Sequence, residues 1–255
     1  MQRLRIIGHD ASVLDLQALE GILGVKLTLS RPTLPTGRCF IKKDVKMPKL
    51  TYVSDPLCGW CYGFVPTLDA FAKAHPEVEI EVVPGGLVTG DRVGPYSEMF
   101  DYISGAAPRM TSITGQALGQ QFFDLIGGED SPLSASAPPS HAILQMKEKA
   151  SSRDVLRFAH ALLQEHFQNG FDLNAPATYD MVCDKLQLPR LDTAAISTST
   201  DQDAPVAKSF QNARSLGVSS FPTVLIQDDE GNVIGQIDTV YESEEFAKRF
   251  EDIVS

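Results

Sequence analysis

Positive charge is scarce in this chain. Lys and Arg number 22 against 33 Asp and Glu in 255 residues, a net charge of −11. A surface of that sign repels phosphate backbones and anionic lipids, which argues against nucleic acid or a membrane surface as partner. Long apolar runs are missing too: no stretch approaches the ~20 residues of a membrane helix. Cysteine is sparse, four in all and two of them in one short motif, so there is no disulfide framework of the kind that staples small secreted domains. Internal repeats and extended low-complexity tracts are absent. What is present is a globular composition, 43% hydrophobic, with chain enough for one domain or two.

The first 46 residues differ from the rest. They hold eight Lys and Arg and four Asp and Glu, whereas the remainder is strongly acidic. Asp10, Asp15 and Glu20 interrupt any apolar stretch, so a secretory signal is not expected. Residues 12–24 carry a weak helical pattern (Val13, Leu14, Leu16, Leu19, Ile22), and 31–37 read as loop. Met47 directly precedes the first strand. The expectation is that residues 1–46 are an atypical extension, disordered or not native, with Met47 as the natural start. N-terminal sequencing of natively expressed protein checks this.

The two clustered cysteines lie in Ser54-Asp55-Pro56-Leu57-Cys58-Gly59-Trp60-Cys61-Tyr62-Gly63-Phe64. An apolar run, Leu50 to Val53, reads as a strand ahead of them. A helical pattern, Phe64, Leu68, Phe71 and Ala72, follows, with the helix written as Phe64–His75 and kinked or begun late at Pro66. Cys58 is thus placed at or just before a helix N-terminus, with Cys61 one turn inside. Unpaired amides and the helix dipole favour negative charge there, so the thiolate form of Cys58 is expected to be stabilised. The thiolate is the nucleophile of disulfide exchange, and Cys61 is spaced to attack a mixed disulfide on Cys58. Two other readings stay open: half of a zinc site, which needs two more ligands, or two inert buried cysteines. Cys39 and Cys183 stand alone and are expected to be incidental or core residues.

A second feature lies far away: Gly217-Val218-Ser219-Ser220-Phe221-Pro222-Thr223-Val224-Leu225-Ile226 puts a proline at the mouth of a β-branched strand, where proline is tolerated. Together with Cys58-Gly59-Trp60-Cys61, this resembles the thioredoxin superfamily, and within it the DsbA-like branch. The nearest resemblance is to cytoplasmic FrnE-like dithiol–disulfide isomerases, over roughly Lys49 to the C-terminus. It implies an α/β thioredoxin fold with an inserted all-helical subdomain: 47–90 and 203–255 form the thioredoxin-like part and 91–202 the insertion. It also implies Cys58 as nucleophile, Cys61 as resolving cysteine and Pro222 as a cis-proline facing them. An ordinary trans proline is the plain alternative.

The remaining pattern agrees with that order. Residues 78–83 alternate as a strand, and Pro84-Gly85-Gly86 breaks it, either as a simple turn or to let backbone approach the site. No convincing strand appears between Tyr96 and Thr200. Helical periods recur there: Met99, Tyr102 and Ile103; 113–123; 141–149 with Ser140 as a possible cap; Arg153–Phe167 ended by Asn169-Gly170; and Thr178–Leu186. His160 and His166 read as ordinary helix residues. Residues 201–216 read as a returning helix, followed by a hairpin at 221–237 around Asp228–Asn232 and a last helix at 243–253.

As the resemblance implies, the substrates are disulfide-containing proteins, a thiol reductant or reductase recycles the pair, and no metal or organic cofactor is needed. The location expected in the absence of a signal is the cytoplasm. Trp60 is expected to be exposed and Phe221 to hold the substrate chain through its backbone, these two being the substrate-binding residues. Tyr62 and Phe64 either join an apolar platform or pack inward. Gly59-Trp60 carries no histidine to favour the thiolate by charge, so a moderate redox poise is expected. Two rivals remain: a glutathione-dependent isomerase or kappa-type glutathione transferase, and a non-catalytic chaperone-like binding module.

Overall fold

The structure is a computed structural model, and it describes residues 48–196 and 204–255 together with the short strands Leu27–Thr28 and Lys42–Lys43. The chain divides into two units, Met1–Lys46 and Met47–Ser255. In the first, Leu27–Thr28 pairs antiparallel with Lys42–Lys43. The helical pattern of 12–24, the loop at 31–37 and Cys39 lie outside the described residues.

The second unit is built on four strands: β1 (Lys49–Ser54), β2 (Ile80–Pro84), β3 (Thr223–Gln227) and β4 (Val233–Ile237). Their order is β2-β1-β3-β4, with β1 parallel to β2 and antiparallel to β3, and β3 antiparallel to β4. The central strand β1 is buried on both faces from Leu50 to Ser54, as expected where both faces are covered. Leu50 and Tyr52 join Ile80, Val82, Val224 and Ile226 in the main core, while Val53, Val83 and Leu225 form a second cluster with Ala213 and Val218. Helix α1 (Gly59–Ala74) joins the parallel pair β1 and β2. The last helix, α8 (Ser243–Val254), packs Phe246 and Phe250 against Phe71, with ring centroids 5.2 and 4.9 Å away.

Helix α1 runs through Pro66 instead of beginning there. An interior proline costs about 3 kcal/mol. Phe64, Val65, Leu68 and Phe71 are all buried, each contributing about 1.5–3 kcal/mol, and together they outweigh that cost.

Between β2 and β3 lies a mainly helical segment: α2 (Phe100–Thr114), α3 (Gln120–Gly127), α4 (Ala137–Lys149), α5 (Ser152–Asn169), α6 (Pro176–Leu186) and α7 (Pro205–Ser215). It is not wholly helical. Gly94–Pro95 pairs antiparallel with Leu133–Ser134, a ladder too short to leave an alternating signal. The continuous period at 113–123 is also broken, because Gly115 takes φ 72° and ends α2. Helix α4 has its cap at Ser136, four residues before the expected one, since Pro138 and Pro139 fit a first helical turn. Ser140 is therefore an interior, buried residue. Met99 and Tyr102, read as part of an apolar helical face, are exposed, Tyr102 by 71%. Helix α5 behaves as its sequence suggests: Ser151 caps it by accepting from the Asp154 amide, and Gly170 closes it at φ 69°. Cys183 is buried in the core, as expected.

Candidate active site

The site begins where β1 ends. Asp55 turns the chain, its carbonyl accepting from the Cys58 amide at 3.0 Å and its Oδ1 from the Leu57 amide at 3.0 Å. Side-chain bonding of this kind is what makes Asp a turn residue. Cys58 then caps α1 with extended backbone (φ −92°, ψ 110°). Its Sγ accepts from the Cys61 amide at 3.4 Å. A sulfur in that position receives the orphan amide that a Ser or Asp cap would otherwise take. The expectation that Cys58 lies at the helix start, with Cys61 one turn in, is met.

The second half of the site comes from β3, 163 residues later. The Phe221–Pro222 peptide is cis, and the Phe221 carbonyl faces the Cys58 thiol, which donates to it at 3.5 Å. Thr239 holds this corner by donating to the Pro222 carbonyl at 3.0 Å. Thr67, on α1, donates to the Tyr241 carbonyl at 2.6 Å, tying the β4–α8 connection to the active-site helix.

Both thiols are free, with Cys58 4% exposed and Cys61 0%. Burial, with Cys58 beside it, pushes the Cys61 thiol well up. The two cysteines thus occupy unequal settings: one at the edge of the helix, the other sealed beneath it.

Trp60 differs from expectation. It is half-buried instead of exposed, packed beside Tyr241 with ring centroids 6.1 Å apart. Tyr62 and Phe64 point inward. The Tyr62 hydroxyl bonds the Ala117 carbonyl and Gln168, and Phe64 packs on Phe246, so neither belongs to a surface platform. Phe221 is half-buried beside the cysteines.

Gly85 makes that placement possible. A Cβ there would meet the Phe221 ring at 2.0 Å. Gly85→Ala is therefore expected to destabilise the fold by about 1–3 kcal/mol through overpacking. Urea denaturation checks this; an unchanged midpoint would mean that the Phe221 ring yields freely.

Several neighbours of the thiols carry no sequence signal. Tyr241 faces both cysteines, and burial pushes its hydroxyl up. Met110 of α2 lies over the first turn of α1, 3.2 Å from where a Gly59 Cβ would stand. Asp55 reaches further, its Oδ2 accepting from the Leu87 amide at 2.8 Å and its Oδ1 from the Ser136 hydroxyl at 2.9 Å. His166 is a spacer in the insertion, bonded to the Tyr96 hydroxyl and the Phe171 carbonyl, each at 2.9 Å, and burial holds its imidazole down at about 4. Glu165 pairs with Lys185 and Asn169, so neither it nor His166 turns toward a thiol. Among the described residues, no group of three His, Cys, Asp or Glu side chains is arranged to hold a metal, and no helix is long and apolar enough to cross a membrane.

No protein-family model matches the sequence, and no curated protein matches it. Solved structures do match. The cytosolic disulfide reductase DsbM from Pseudomonas aeruginosa aligns at 25% identity over 80% of this chain and 97% of its own, with a TM-score of 0.66. The same reductase solved with GSH aligns at 23% identity and TM-score 0.62, covering 80% and 98%. A probable DsbA oxidoreductase from Streptomyces coelicolor aligns at 16% identity and TM-score 0.56, covering 81% and 89%. The chain has an α/β thioredoxin fold with an inserted helical subdomain, is DsbA-like in its similarity to these structures, and carries the general chemistry of a thiol–disulfide oxidoreductase.

Proposed function

We propose that this protein reduces or isomerises disulfides in protein substrates, with Cys58 as the attacking thiol and Cys61 as the resolving one. The observation that carries the reading is the asymmetry of the pair: Cys58 Sγ caps α1 and meets the Phe221 carbonyl, while Cys61 is fully buried behind it. A helix-capping sulfur at the edge of the helix suits first attack, and a fully sealed neighbour suits second attack.

Cys58 thiolate displaces one sulfur of a substrate disulfide and forms a mixed disulfide. Cys61 then displaces the substrate, which leaves as its second thiolate, and the Cys58–Cys61 disulfide remains. In isomerisation a thiol of the substrate itself releases Cys58. The Phe221 backbone beside Pro222 holds the substrate chain extended through main-chain bonds, and Trp60 offers its partly open ring to apolar side chains. A thiol reductant or reductase resets the pair. The setting proposed is the cytoplasm, in line with the cytosolic description of DsbM.

The test is the equilibrium potential of Cys58–Cys61 in glutathione buffers, read by the fluorescence of Trp60, the single tryptophan. A value between about −270 and −180 mV is expected, the lower end marking a reductant and the upper an isomerase. A value near about −120 mV would contradict the moderate poise, and failure to form the disulfide would remove the redox reading.

A further inference from the structure

Two of the buried polar atoms without a hydrogen-bond partner are the Tyr52 hydroxyl and His160 Nε2. Tyr52 lies on the central strand, fully buried, and its ring stands edge-on to His160 at a centroid distance of 5.8 Å and 80°. An unpaired buried donor or acceptor is costly, so each such atom calls for a reason. These two are complementary. His160 Nδ1–H donates to Asp69 Oδ1 at 2.7 Å, which fixes the proton on that nitrogen and leaves Nε2 of the neutral ring as an acceptor. The Tyr52 hydroxyl is a donor that lacks an acceptor. It also faces the Cys61 thiol and Ser54, bonded to neither.

Three elements thus bring four groups into one neighbourhood, with the Tyr52 hydroxyl and His160 Nε2 on rings in edge contact and not hydrogen-bonded to each other. Helix α1 carries Cys61 and Asp69, β1 carries Tyr52 and α5 carries His160. The chain starts at a thiol with no solvent exposure and ends at a carboxylate side chain that is 52% exposed. The other titratable groups facing Cys61 are Cys58, Asp55 and Tyr241. None of these connects to His160.

We propose that Tyr52 and His160, backed by Asp69, carry off the proton that Cys61 must lose when it resolves a mixed disulfide on Cys58. This rests on the paired-thiol reading above. The step balances as follows. The Cys61 S–H bond breaks and its proton goes to the Tyr52 oxygen as the Tyr52 proton passes to His160 Nε2. The Cys61 sulfur bonds to Cys58 Sγ, and the bond from Cys58 to the substrate sulfur breaks. The substrate departs as thiolate, with its disulfide reduced and the cysteine pair oxidised. The imidazolium, paired with Asp69, returns its proton to solvent. Burial pushes the Cys61 thiol well up, which is why a sheltered resolving cysteine needs such an outlet.

The test uses the full chain in a Cys39→Ser, Cys183→Ser background, reduced and mixed with Ellman's reagent in a stopped-flow instrument. Cys58 releases the first nitrothiophenolate, and Cys61 releases the second by resolving the mixed disulfide. Tyr52→Phe and His160→Gln are expected to slow the second phase by about tenfold or more near neutral pH, leaving the first phase within about twofold. The deficit should shrink as pH rises, because hydroxide then removes the Cys61 proton directly. Asp69→Asn, at the surface end, should give a smaller slowing with the same pH trend. If Tyr52→Phe does not fold, His160→Gln carries the comparison. A second phase at the unsubstituted rate in the variants, or one slowed equally at every pH, overturns the relay and leaves the paired-thiol reading standing. An unsubstituted protein with a first phase and no second would overturn both.

Discussion

Cys58→Ser is expected to lower disulfide-exchange turnover roughly a thousandfold or more while the fold stays intact. The two halves of this prediction come from the same geometry. Cys58 is the N-cap of α1 and accepts the Cys61 amide through its side chain. Serine is a preferred N-cap and can accept that same amide, so stability should change by no more than about 1 kcal/mol. A serine hydroxyl cannot supply the thiolate that disulfide exchange requires. Loss of turnover in a protein with an unchanged urea midpoint would therefore report chemistry and not unfolding. A chaperone-like module working through its apolar surface would keep full activity in this variant, and that result would sink the redox reading. Cys61→Ala separates the other rival. On the paired-thiol mechanism it stalls as a mixed disulfide on Cys58, visible as an added mass, whereas a glutathione transferase would go on turning over with glutathione.

Asp55→Ala should have the largest effect on stability, a loss of about 3–5 kcal/mol. Asp55 is fully buried, and its two oxygens accept from the Leu57 amide, the Leu87 amide and the Ser136 hydroxyl. One carboxyl thus ties the turn before Cys58 to the strand leaving β2 and to the start of α4. Alanine would leave three donors without this acceptor, two of them buried and the Leu87 amide partly so. Asparagine is not a full replacement, because donors approach both oxygens and its NH2 must face one of them; about 1–3 kcal/mol is expected. Burial pushes the Asp55 carboxyl up, only partly offset by those donors. Between its unfolded value of about 3.9 and the higher folded one, the native state holds more protons than the unfolded chain. This group's contribution is thus fully present below the unfolded value and lost as pH rises through the folded value. Urea midpoints across the acid range should show that slope in the unsubstituted protein and lack it in Asp55→Asn. An alanine variant within about 1 kcal/mol of the unsubstituted protein would show that the network is dispensable.

The positions of Cys58, Cys61 and the proline opposite were legible from residue order, because each is set by local chemistry. A Cys-x-x-Cys after a strand has one helix start to cap, and a proline before a β-branched run has few places in a sheet. Most helices of the insertion were legible from their period, but not all of their ends, and the apolar face read at Met99 and Tyr102 is exposed. Gly115 broke a periodic run at 113–123, and Pro138 and Pro139 began a helix ahead of the cap expected at Ser140. Both are contests between short-range signals that only packing resolves. The two-residue pairing of Gly94–Pro95 with Leu133–Ser134 left no trace, being shorter than the period that would reveal it.

The sequence by itself determined the local placing of Cys58 and Cys61 on one helical turn, and of the proline that turns toward them. Tertiary structure alone decided what surrounds those residues. Tyr52, His160, Asp69, Ser136 and Tyr241 come from a central strand, three helices' worth of chain and a late connection, and nothing in their local order distinguishes them from core or surface residues. Trp60 was expected in the open and instead packs beside Tyr241, 181 residues away. The physical reason is that reactivity follows from side-chain type and local backbone, which sequence spells out. Burial, orphaned hydrogen bonds and shifted protons follow from which distant segments close over a site, and only the folded chain brings those together.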